Sequence, residues 1–354
     1  MGLLATATLL GSAVATIAIG AVGHKFHHGN LLKWAAALMA ATGFAFAAGS
    51  TFWPLLVVAF VGTLNPSSGD VSVFLPLEHT RIAEAAEGDV RTSLFARYSL
   101  SGSLLSAVGA LAAALPTVIS SWTGLGTLCA LRCMFVLYGL IGCAVWLLYR
   151  RLPNPAEELI REPAPLGPSR GIVVRLAILF SVDSFAGGLV VNALMALWLF
   201  ERFDMSIATA GQFFFWSGLC TVLSQLLAPC LAKRIGLLNT MVFTHIPASI
   251  CLIAAAFVSN IHLALGLLII RSLLSQMDVP VRSAFVMSVV TPAERAAAAS
   301  FTLAPKSLAS AAAPTVGGAL FAAGFLAAPL VACGLLKISY DLTIWRAFRN
   351  AQHH

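Results

Sequence analysis

Apolar runs long enough to cross a bilayer recur from one end of the chain to the other. About 20 residues of helix span roughly 30 Å of hydrocarbon, and a helix satisfies its backbone polar groups within the segment, as lipid requires. Only 10% of the 354 residues are charged, whereas a soluble domain carries about 25%. The sequence therefore predicts an all-α membrane protein with about 11 transmembrane helices. The apolar runs are residues 3–22, 32–49, 53–77, 99–120, 124–148, 172–200, 206–231, 238–259, 261–289, 297–322 and 325–345.

Two connections between these runs are long. Residues 78–98 (EHTRIAEAAEGDVRTSLFARY) are typical of an interfacial helix. Residues 149–171 are rich in proline and charge, which is typical of a linker. We therefore predict an N-terminal helical bundle at 1–148, a cytoplasmic linker at 149–171 and a C-terminal bundle at 172–354.

Basic residues are concentrated in alternate loops. If the loop with Lys25 and Lys33 is cytoplasmic, the loops on the cytoplasmic side of the membrane carry sixteen Lys and Arg residues, and the loops on the outer side carry only Arg202. Cytoplasmic loops are enriched in Lys and Arg, so the C-terminus is predicted in the cytoplasm and the N-terminus outside. The net charge of +7 is explained in the same way and does not indicate nucleic acid. The sixteen are Lys25, Lys33, Arg81, Arg91, Arg97, Arg150, Arg151, Arg161, Arg170, Arg175, Lys233, Arg234, Arg282, Arg295, Arg346 and Arg349.

The chain also repeats itself at a nearly constant offset. IGAVGHKFHHGNLL (19–32) aligns with APCLAKRIGLLNTM (228–241) at an offset of 209, and Asp70-Val-Ser-Val aligns with Asp278-Val-Pro-Val at 208. Arg91 and Arg295 open similar segments at an offset of 204. Three matches in the same order indicate two homologous halves.

The repeat predicts unequal halves. The second half has 58 residues (171–228) before Pro229, whereas the first has 19 before Gly20, a shortfall of 39 residues. One helix and its lead-in would account for that difference. We therefore expect five crossings in the first half and six in the second, as in a chain that lacks its usual first helix.

Both copies of the repeated loop resemble a known motif. GAVGHKFHHGNLL (20–32) resembles the loop G-x-L-A-D-R-x-G-R-R between the second and third helices of the major facilitator superfamily, and PCLAKRIGLL (229–238) resembles its copy between helices eight and nine. Residues 271–295 are similar to the tenth helix and following loop of bacterial drug-efflux-like members. The resemblance implies two six-helix bundles related by a pseudo-two-fold, a central cavity and alternating access.

The motif also departs from the family pattern. Its acidic position, which latches the inward-closed state in the family, is His24 in one copy and Lys233 in the other. The glycine after the basic residue is His27 in the first copy, while Gly236 is kept in the second. His24 and Lys233 cannot act as that acidic latch in the same way. The basic residues of the two copies, Lys25 and Arg234, are gating candidates.

Three charged residues are predicted near the bilayer midplane, where a charge is costly and needs a reason. From a helical rise of ~1.5 Å per residue, Asp183 lies about 16 Å deep, Lys306 about 14 Å and Arg271 about 15 Å. The resemblance assigns them to helices seven, ten and eleven, which line the family's cavity. We predict that Asp183 carries protons with Lys306 or Arg271 as its electrostatic partner; the alternative is an ion-pair network that only locks helices together.

Other polar residues are candidates for gating and for the cavity. Asp70 and Asp278 are repeat mates that could pair with Arg91, Arg282 or Arg295 as intracellular gates, or could simply cap helices at the interface. Asn65-Pro66 interrupts its run, which can mark a hinge. The predicted cavity-lining residues are Asn192, Gln212, Trp216 and Gln225.

No motif in the sequence indicates catalysis. A nucleophile elbow, a phosphate loop and a dinucleotide fingerprint are absent from it, the seven cysteines lie inside apolar runs, and His24, His27 and His28 lack acidic or Cys companions for a metal. We expect no enzyme activity, no cofactor and no metal, and a monomer in a bacterial inner membrane. The function predicted is proton-coupled efflux of a small molecule; the alternatives are an importer or uniporter of the same fold and a truncated, non-transporting membrane protein.

Overall fold

The computed structural model describes residues 2–22, 28–64, 74, 77–78, 88–124, 126–151, 167–290 and 295–349. In these ranges the chain consists of α-helices joined by short turns, and it contains no strand. The chain divides into two compact units, Leu3–Arg161 and Glu162–His354. The all-α prediction is confirmed, while the predicted linker at 149–171 lies mostly outside the described residues.

The first unit has six described helices. Extensive packing joins α2 to α6, and small residues allow it, because a Cβ at Gly43 would lie 2.4 Å from the Gly139 nitrogen. Glu78 accepts hydrogen bonds from Tyr98 of α4 and Tyr149 of α6, which ties those two helices together. The helices are α1 (Gly2–Val22), α2 (His28–Ala48), α3 (Phe52–Val61), α4 (Gly88–Ala112), α5 (Leu115–Thr123) and α6 (Thr127–Arg151).

The second unit has eight described helices. In it α7 packs along α13, and α10 packs against both α11 and α14. The helices are α7 (Arg170–Gly188), α8 (Asn192–Phe203), α9 (Ile207–Ile235), α10 (Leu237–Phe257), α11 (Ile261–Ser275), α12 (Asp278–Val289), α13 (Arg295–Ala322) and α14 (Ala328–Phe348).

The predicted apolar runs correspond to these helices, but four runs are split. Run 53–77 breaks at Gly62, where α3 ends in extended backbone. Run 99–120 breaks between α4 and α5, just before Pro116, whose ring and missing N–H disfavour a helix interior. Run 172–200 breaks after Gly188, and run 261–289 breaks at Gln276 and Met277. Helix α4 also begins at Gly88, so the second half of the predicted interfacial segment 78–98 belongs to a long helix instead.

Six of the described helical stretches are long and apolar enough to cross a bilayer, and this establishes a multi-pass membrane protein. The chain is thus of the predicted class. The six are Gly29–Ala48, Leu100–Thr123, Thr127–Arg151, Arg170–Phe203, Ile207–Ile235 and Leu237–Phe257.

Backbones approach closely where α7 meets α13. A Cβ added at Gly188 would lie 2.7 Å from the Ser310 carbonyl oxygen, and one added at Gly317 would lie 2.5 Å from the Leu189 carbonyl oxygen. Larger side chains at these positions would push the helices apart, so glycine is what permits the contact.

An apolar core joins α7, α9, α10, α12, α13 and α14 in the second unit. Its aromatic members stack edgewise, as with Phe285 and Phe348, whose ring centroids are 5.7 Å apart. Dispersion and exclusion of lipid from this core hold the helices in register. The buried members are Val173, Leu176, Phe180, Ala228, Leu238, Met241, Val242, Met277, Val281, Phe285, Val286, Val290, Ala298, Tyr340, Ile344 and Phe348.

Candidate functional site

Asp183 lies on α7 next to this core and is 5% exposed. Its Oδ1 accepts a hydrogen bond from Lys337 Nζ of α14 at 2.8 Å, and its Oδ2 accepts one from Arg282 of α12 at 2.8 Å. Each carboxylate oxygen therefore has its own cation. A buried carboxylate is costly unless it is paired and hydrogen-bonded, and two charge-assisted bonds meet that need.

Arg282 bridges two carboxylates. It donates to Asp183 and also to Asp278, one turn earlier on the same helix. Asp278 is the first residue of α12, where the positive end of the helix dipole favours a negative charge. The guanidinium also lies over the rings of Phe180 and Tyr340, 5.2 Å and 6.0 Å from their centroids. Arg282 is thus held on the inner side of the unit and is not in a loop.

A buried histidine extends the network from α14 to α10. His245 Nδ1 lies 3.0 Å from Asp341, and its Nε2 lies 3.2 Å from Lys337 Nζ. Because a lysine ammonium carries only donors, Nε2 must accept from it. That leaves Nδ1 as the protonated nitrogen, which donates to Asp341. His245 is therefore neutral in this arrangement, with one defined tautomer.

The six residues form one continuous polar network across four helices. It runs from Asp341 and His245 through Lys337 to Asp183, and from there through Arg282 to Asp278. Three carboxylates face two permanent cations and one neutral histidine. Such an arrangement can exchange partners or accept a proton when a helix moves, and it needs no covalent chemistry.

The expected partners of Asp183 are not the ones found. Neither Lys306 nor Arg271 contacts Asp183, whose cations are Lys337 and Arg282 instead. Lys306 lies on α13 within electrostatic range of Asp183, Asp278, Arg282 and Lys337. The reason is geometric: residues of equal depth in a bilayer still point in different directions around their helices, and depth alone does not predict contact.

The gating candidates fall in different places. Asp278 contacts Arg282, one of the three partners considered for it. Counting Arg282 among the cytoplasmic loop residues was wrong, because it is buried inside α12. Arg234 is exposed in the last turn of α9.

Other gating candidates cannot be placed by their side chains. Arg91 and Arg295 lie in α4 and α13, but only their backbones are among the described parts of the chain. Asp70, Lys25 and the hinge candidate Asn65-Pro66 lie outside the described residues, so these assignments stay predictions.

The predicted cavity-lining residues are mostly on the surface of the second unit. Asn192 opens α8 and is exposed, and Gln212 and Trp216 are exposed on α9. Trp216 packs edgewise on Phe215, with centroids 5.4 Å apart. Gln225 is half-buried on the same helix. Their assignment to a substrate cavity stays a prediction.

Three network residues were missed at the sequence level: Lys337, Asp341 and His245. The signal that singled out Asp183, a titratable residue inside an apolar run, applies equally to them. Lys337 and Asp341 lie one turn apart in the run 325–345, and His245 lies in the run 238–259. Among the residues that the structure describes, no group of three or more His, Cys, Asp and Glu side chains could hold a metal ion.

Known structures share this fold. A D-xylose–proton symporter superposes with a TM-score of 0.75 at 16% identity, covering 97% of this chain and 86% of the symporter. The nucleoside transporter NupG gives 0.71 at 15% identity, covering 98% and 89%. The human organic anion transporter MFSD10 gives 0.68 at 16% identity, covering 96% and 82%. At such identities the likeness shows the fold alone.

The sequence matches point the same way. An uncharacterized membrane protein of Saccharomyces cerevisiae is 22% identical over 380 residues, covering 97% of this chain and 85% of the yeast protein. A family model described as the Major Facilitator Superfamily matches residues 1–270. The family resemblance is thereby confirmed, whereas the drug-efflux-like subgroup and the missing first helix stay predictions. With a match over most of its length and two units of apolar helices, the chain is a member of the Major Facilitator Superfamily, a family of transporters and not of enzymes.

Proposed function

We propose that the chain is a proton-coupled secondary transporter that exports a small organic molecule by alternating access. The observation that carries this proposal is the buried network in which Asp183 is shared between Lys337 and Arg282, 2.8 Å from each. In the membrane interior an ionisable residue is a functional candidate by default. Asp183 is the proton-carrying group, with Lys337 and Arg282 as its electrostatic partners.

Helix movement is coupled to proton binding because an unpaired buried charge is costly. Lys337 and Arg282 stand on α14 and α12, so a movement of either helix away from α7 takes a cation from Asp183. A buried carboxylate that loses its counter-ion is more stable with a proton. Asp183 then binds a proton from the side that is open and releases it when the cation returns. The cycle links a helix movement to a proton without any covalent step.

The direction of transport depends on gradients and stoichiometry, so an importer or a uniporter of this fold is the alternative. Two structural neighbours are named as a D-xylose–proton symporter and an organic anion transporter. Proteins of this fold therefore include a proton-coupled transporter and transporters of chemically different solutes. The chain acts as a monomer in the plasma membrane with its C-terminus in the cytoplasm. The exposed Arg346 and Arg349 at the end of α14 fit that orientation.

The test is a flux measurement with Asp183→Asn. Wild type and variant are reconstituted in proteoliposomes with a trapped pH dye, and a panel of organic acids, amines and sugars is added under an imposed pH gradient. We expect wild type to move protons with at least one solute, and Asp183→Asn to lose gradient-driven accumulation while solute exchange persists. The matched control is Asp204→Asn, the same change at an exposed site with φ 50°, which asparagine tolerates.

Two outcomes would contradict the proposal. If a well-folded Asp183→Asn protein transports with the pH dependence of wild type, Asp183 does not carry the proton. If Asp183→Asn fails to fold, and folding returns when Lys337 and Arg282 are also made apolar, the network is a structural lock. In that case the non-transporting alternative gains support.

A further inference from the structure

His245 is a titratable residue buried inside the second unit. It lies eight residues into α10, about 12 Å from Leu237 along the helix, and it is 2% exposed. Its Nδ1–H donates to Asp341, and its Nε2 accepts from Lys337. An ionisable side chain in a membrane helix needs a reason, and the transport cycle described for Asp183 does not use this one.

Asp341, on one side of the ring, is a buried carboxylate without a cation of its own. It is 1% exposed, and within the described part of the chain its one hydrogen-bond donor is the neutral ring of His245. Lys337, one turn earlier on α14, donates to Asp183 and His245 instead. A buried carboxylate is costly unless a positive charge pairs with it. A second proton on His245 would supply that charge 3.0 Å away.

Asp183 lies on the other side of the ring. His245 Nε2 is 4.0 Å from Asp183 Oδ1, and Lys337 Nζ stands beside both atoms, 3.2 Å from Nε2 and 2.8 Å from Oδ1. While the ammonium is there, the lone pair of Nε2 accepts its hydrogen bond and cannot take a proton. If Lys337 withdraws, the lone pair is free, and an approach of about 1 Å brings Nε2 and Oδ1 within hydrogen-bond distance.

The other titratable groups on the helices around α10 make no hydrogen bond to His245 within the described residues. A phenol of α14 packs its ring edgewise on the imidazole, with centroids 6.4 Å apart. Two charged residues of α12 reach the ring only through Asp183. An arginine of α11 has a cysteine of α14 as its electrostatic neighbour, and two cations of α9 are exposed in its last turn. In this order, the groups are Tyr340, Arg282, Asp278, Arg271, Cys333, Lys233 and Arg234.

We propose that His245 stores the transported proton while Lys337 is away from Asp183. Asp183 takes the proton from the open side, and the proton then passes to His245. The O–H bond of Asp183 breaks with its electron pair left on the carboxylate, and the lone pair of Nε2 forms the new N–H bond. The imidazolium then lies between the carboxylates of Asp183 and Asp341. This role rests on the proposed transport function and adds to it the residue that holds the proton.

Storage on His245 keeps the charges around the ring paired. A proton that stayed on Asp183 would take one of its two carboxylates from Arg282 and would leave Asp341 beside a neutral ring. The return of Lys337 reverses the transfer, because an ammonium has only donors and needs both the Nε2 lone pair and an ionised Asp183. Lys337 and the stored proton therefore alternate at the same carboxylate.

The first test measures how transport by His245→Gln depends on pH. A glutamine amide can donate to Asp341 and accept from Lys337, but it does not bind a proton. Because an imidazole in water binds protons about two to three pH units above an aspartate carboxylate, we expect the pH of half-maximal proton-driven accumulation in proteoliposomes to fall by about one unit or more. The matched control is His262→Gln, the same change at an exposed residue of α11, which should keep the wild-type profile.

The second test needs no transported solute. ¹⁵N spectra of histidine-labelled protein are recorded from about pH 8 to about pH 5, the range in which histidine changes charge. The buried ring is recognised by slow exchange of its N–H and by its absence from His245→Gln. We expect it to change from the neutral Nδ1–H form to an imidazolium protonated on both nitrogens while the protein stays folded. In Asp183→Asn the change should need a more acidic solution, because the imidazolium loses a carboxylate; the control Asp204→Asn should behave as wild type.

The storage role is overturned if His245→Gln folds and transports with the wild-type pH profile, even at a lower rate, because His245 is then only a hydrogen-bond partner. It is also overturned if the buried ring stays neutral down to the pH at which the protein unfolds, and this readout remains if His245→Gln fails to fold. An Asp183→Asn protein that keeps proton-driven transport contradicts the transport mechanism itself. An uncoupled Asp183→Asn protein together with a normal His245→Gln profile removes only the storage role.

Discussion

Lys337 Nζ lies 2.8 Å from Asp183 Oδ1 and joins α14 to α7 inside the second unit. The same ammonium lies 3.2 Å from His245 Nε2. Lys337 therefore links the two parts of the network: Asp183 with Arg282 on one side and His245 with Asp341 on the other. This makes it the most informative position for mutation.

Replacing Lys337 by Gln should be strongly destabilising. It leaves Asp183 with one cation instead of two and removes the donor to His245, and breaking a buried pair from one side costs about 3–5 kcal/mol. Together with Asp183→Asn, the loss should be smaller than the sum of the two single losses, because the two side chains interact. The measurement is a double-mutant cycle of unfolding free energies in detergent micelles. A cycle with additive losses would mean that the two side chains do not interact.

Asp341 is expected to tolerate Asn better than Ala. In Asp341→Asn the amide oxygen can still accept from His245 Nδ1–H, whereas Asp341→Ala leaves that buried donor unpaired, at a cost of about 1–3 kcal/mol. Unfolding measurements on both variants should show the order wild type, Asn, Ala. If both substitutions cost the same, the hydrogen bond to His245 contributes nothing.

The tautomer of His245 can be observed directly. We expect ¹⁵N spectra of histidine-labelled protein to show one buried imidazole protonated at Nδ1, and this signal to disappear in His245→Gln. The assignment follows from the ammonium of Lys337, which can only donate to Nε2. A signal from a ring protonated at Nε2 would contradict the geometry of the network.

Gly188→Ala should destabilise the second unit. The new methyl group would lie 2.7 Å from the Ser310 carbonyl oxygen, and forcing a methyl into a packed interface typically costs about 1–3 kcal/mol. The matched control is Gly266→Ala in α11, where nothing lies within 4 Å of the added carbon. That change should be neutral or slightly stabilising, because alanine favours helix. Thermal unfolding that falls equally in both variants would argue against close contact at Gly188.

The topology prediction can be tested by labelling. In a cysteine-free background, Ser50→Cys should react with a membrane-impermeant thiol reagent from outside intact cells and Ala351→Cys only after lysis, because basic loops stay on the cytoplasmic side. Outside labelling at residue 351 would reverse the orientation.

The helices were predictable because lipid imposes a length and an apolar surface on each of them. The breaks were harder: the run 172–200 stays apolar through Leu189, Val190 and Val191, where α7 ends. Its end coincides with the contact of Gly188 with α13, and such a tertiary contact leaves no trace in hydropathy.

A buried charged site at Asp183 was predictable from the sequence, but the residues that pair with Asp183 were not. Asp183 stood out because a charge in an apolar run needs a partner. Its partners depend on how α12 and α14 are rotated about their axes, which the depth of Lys306 or Arg271 does not reveal. Lys337 and Asp341, one turn apart on a single helix, carried the stronger clue, because two titratable residues at that spacing share one face.

The contact between α7 and α13 has a mechanical consequence. At Gly188 and Gly317 the backbones approach closely, beside the side chains of Ala313 and Leu194, so little room is left there for one helix to slide past the other. We therefore expect α7 and α13 to move together. On that expectation, a rearrangement that separates Asp183 from its cations is a tilt of α12 or α14 against this helix pair, and Lys306 moves together with Asp183.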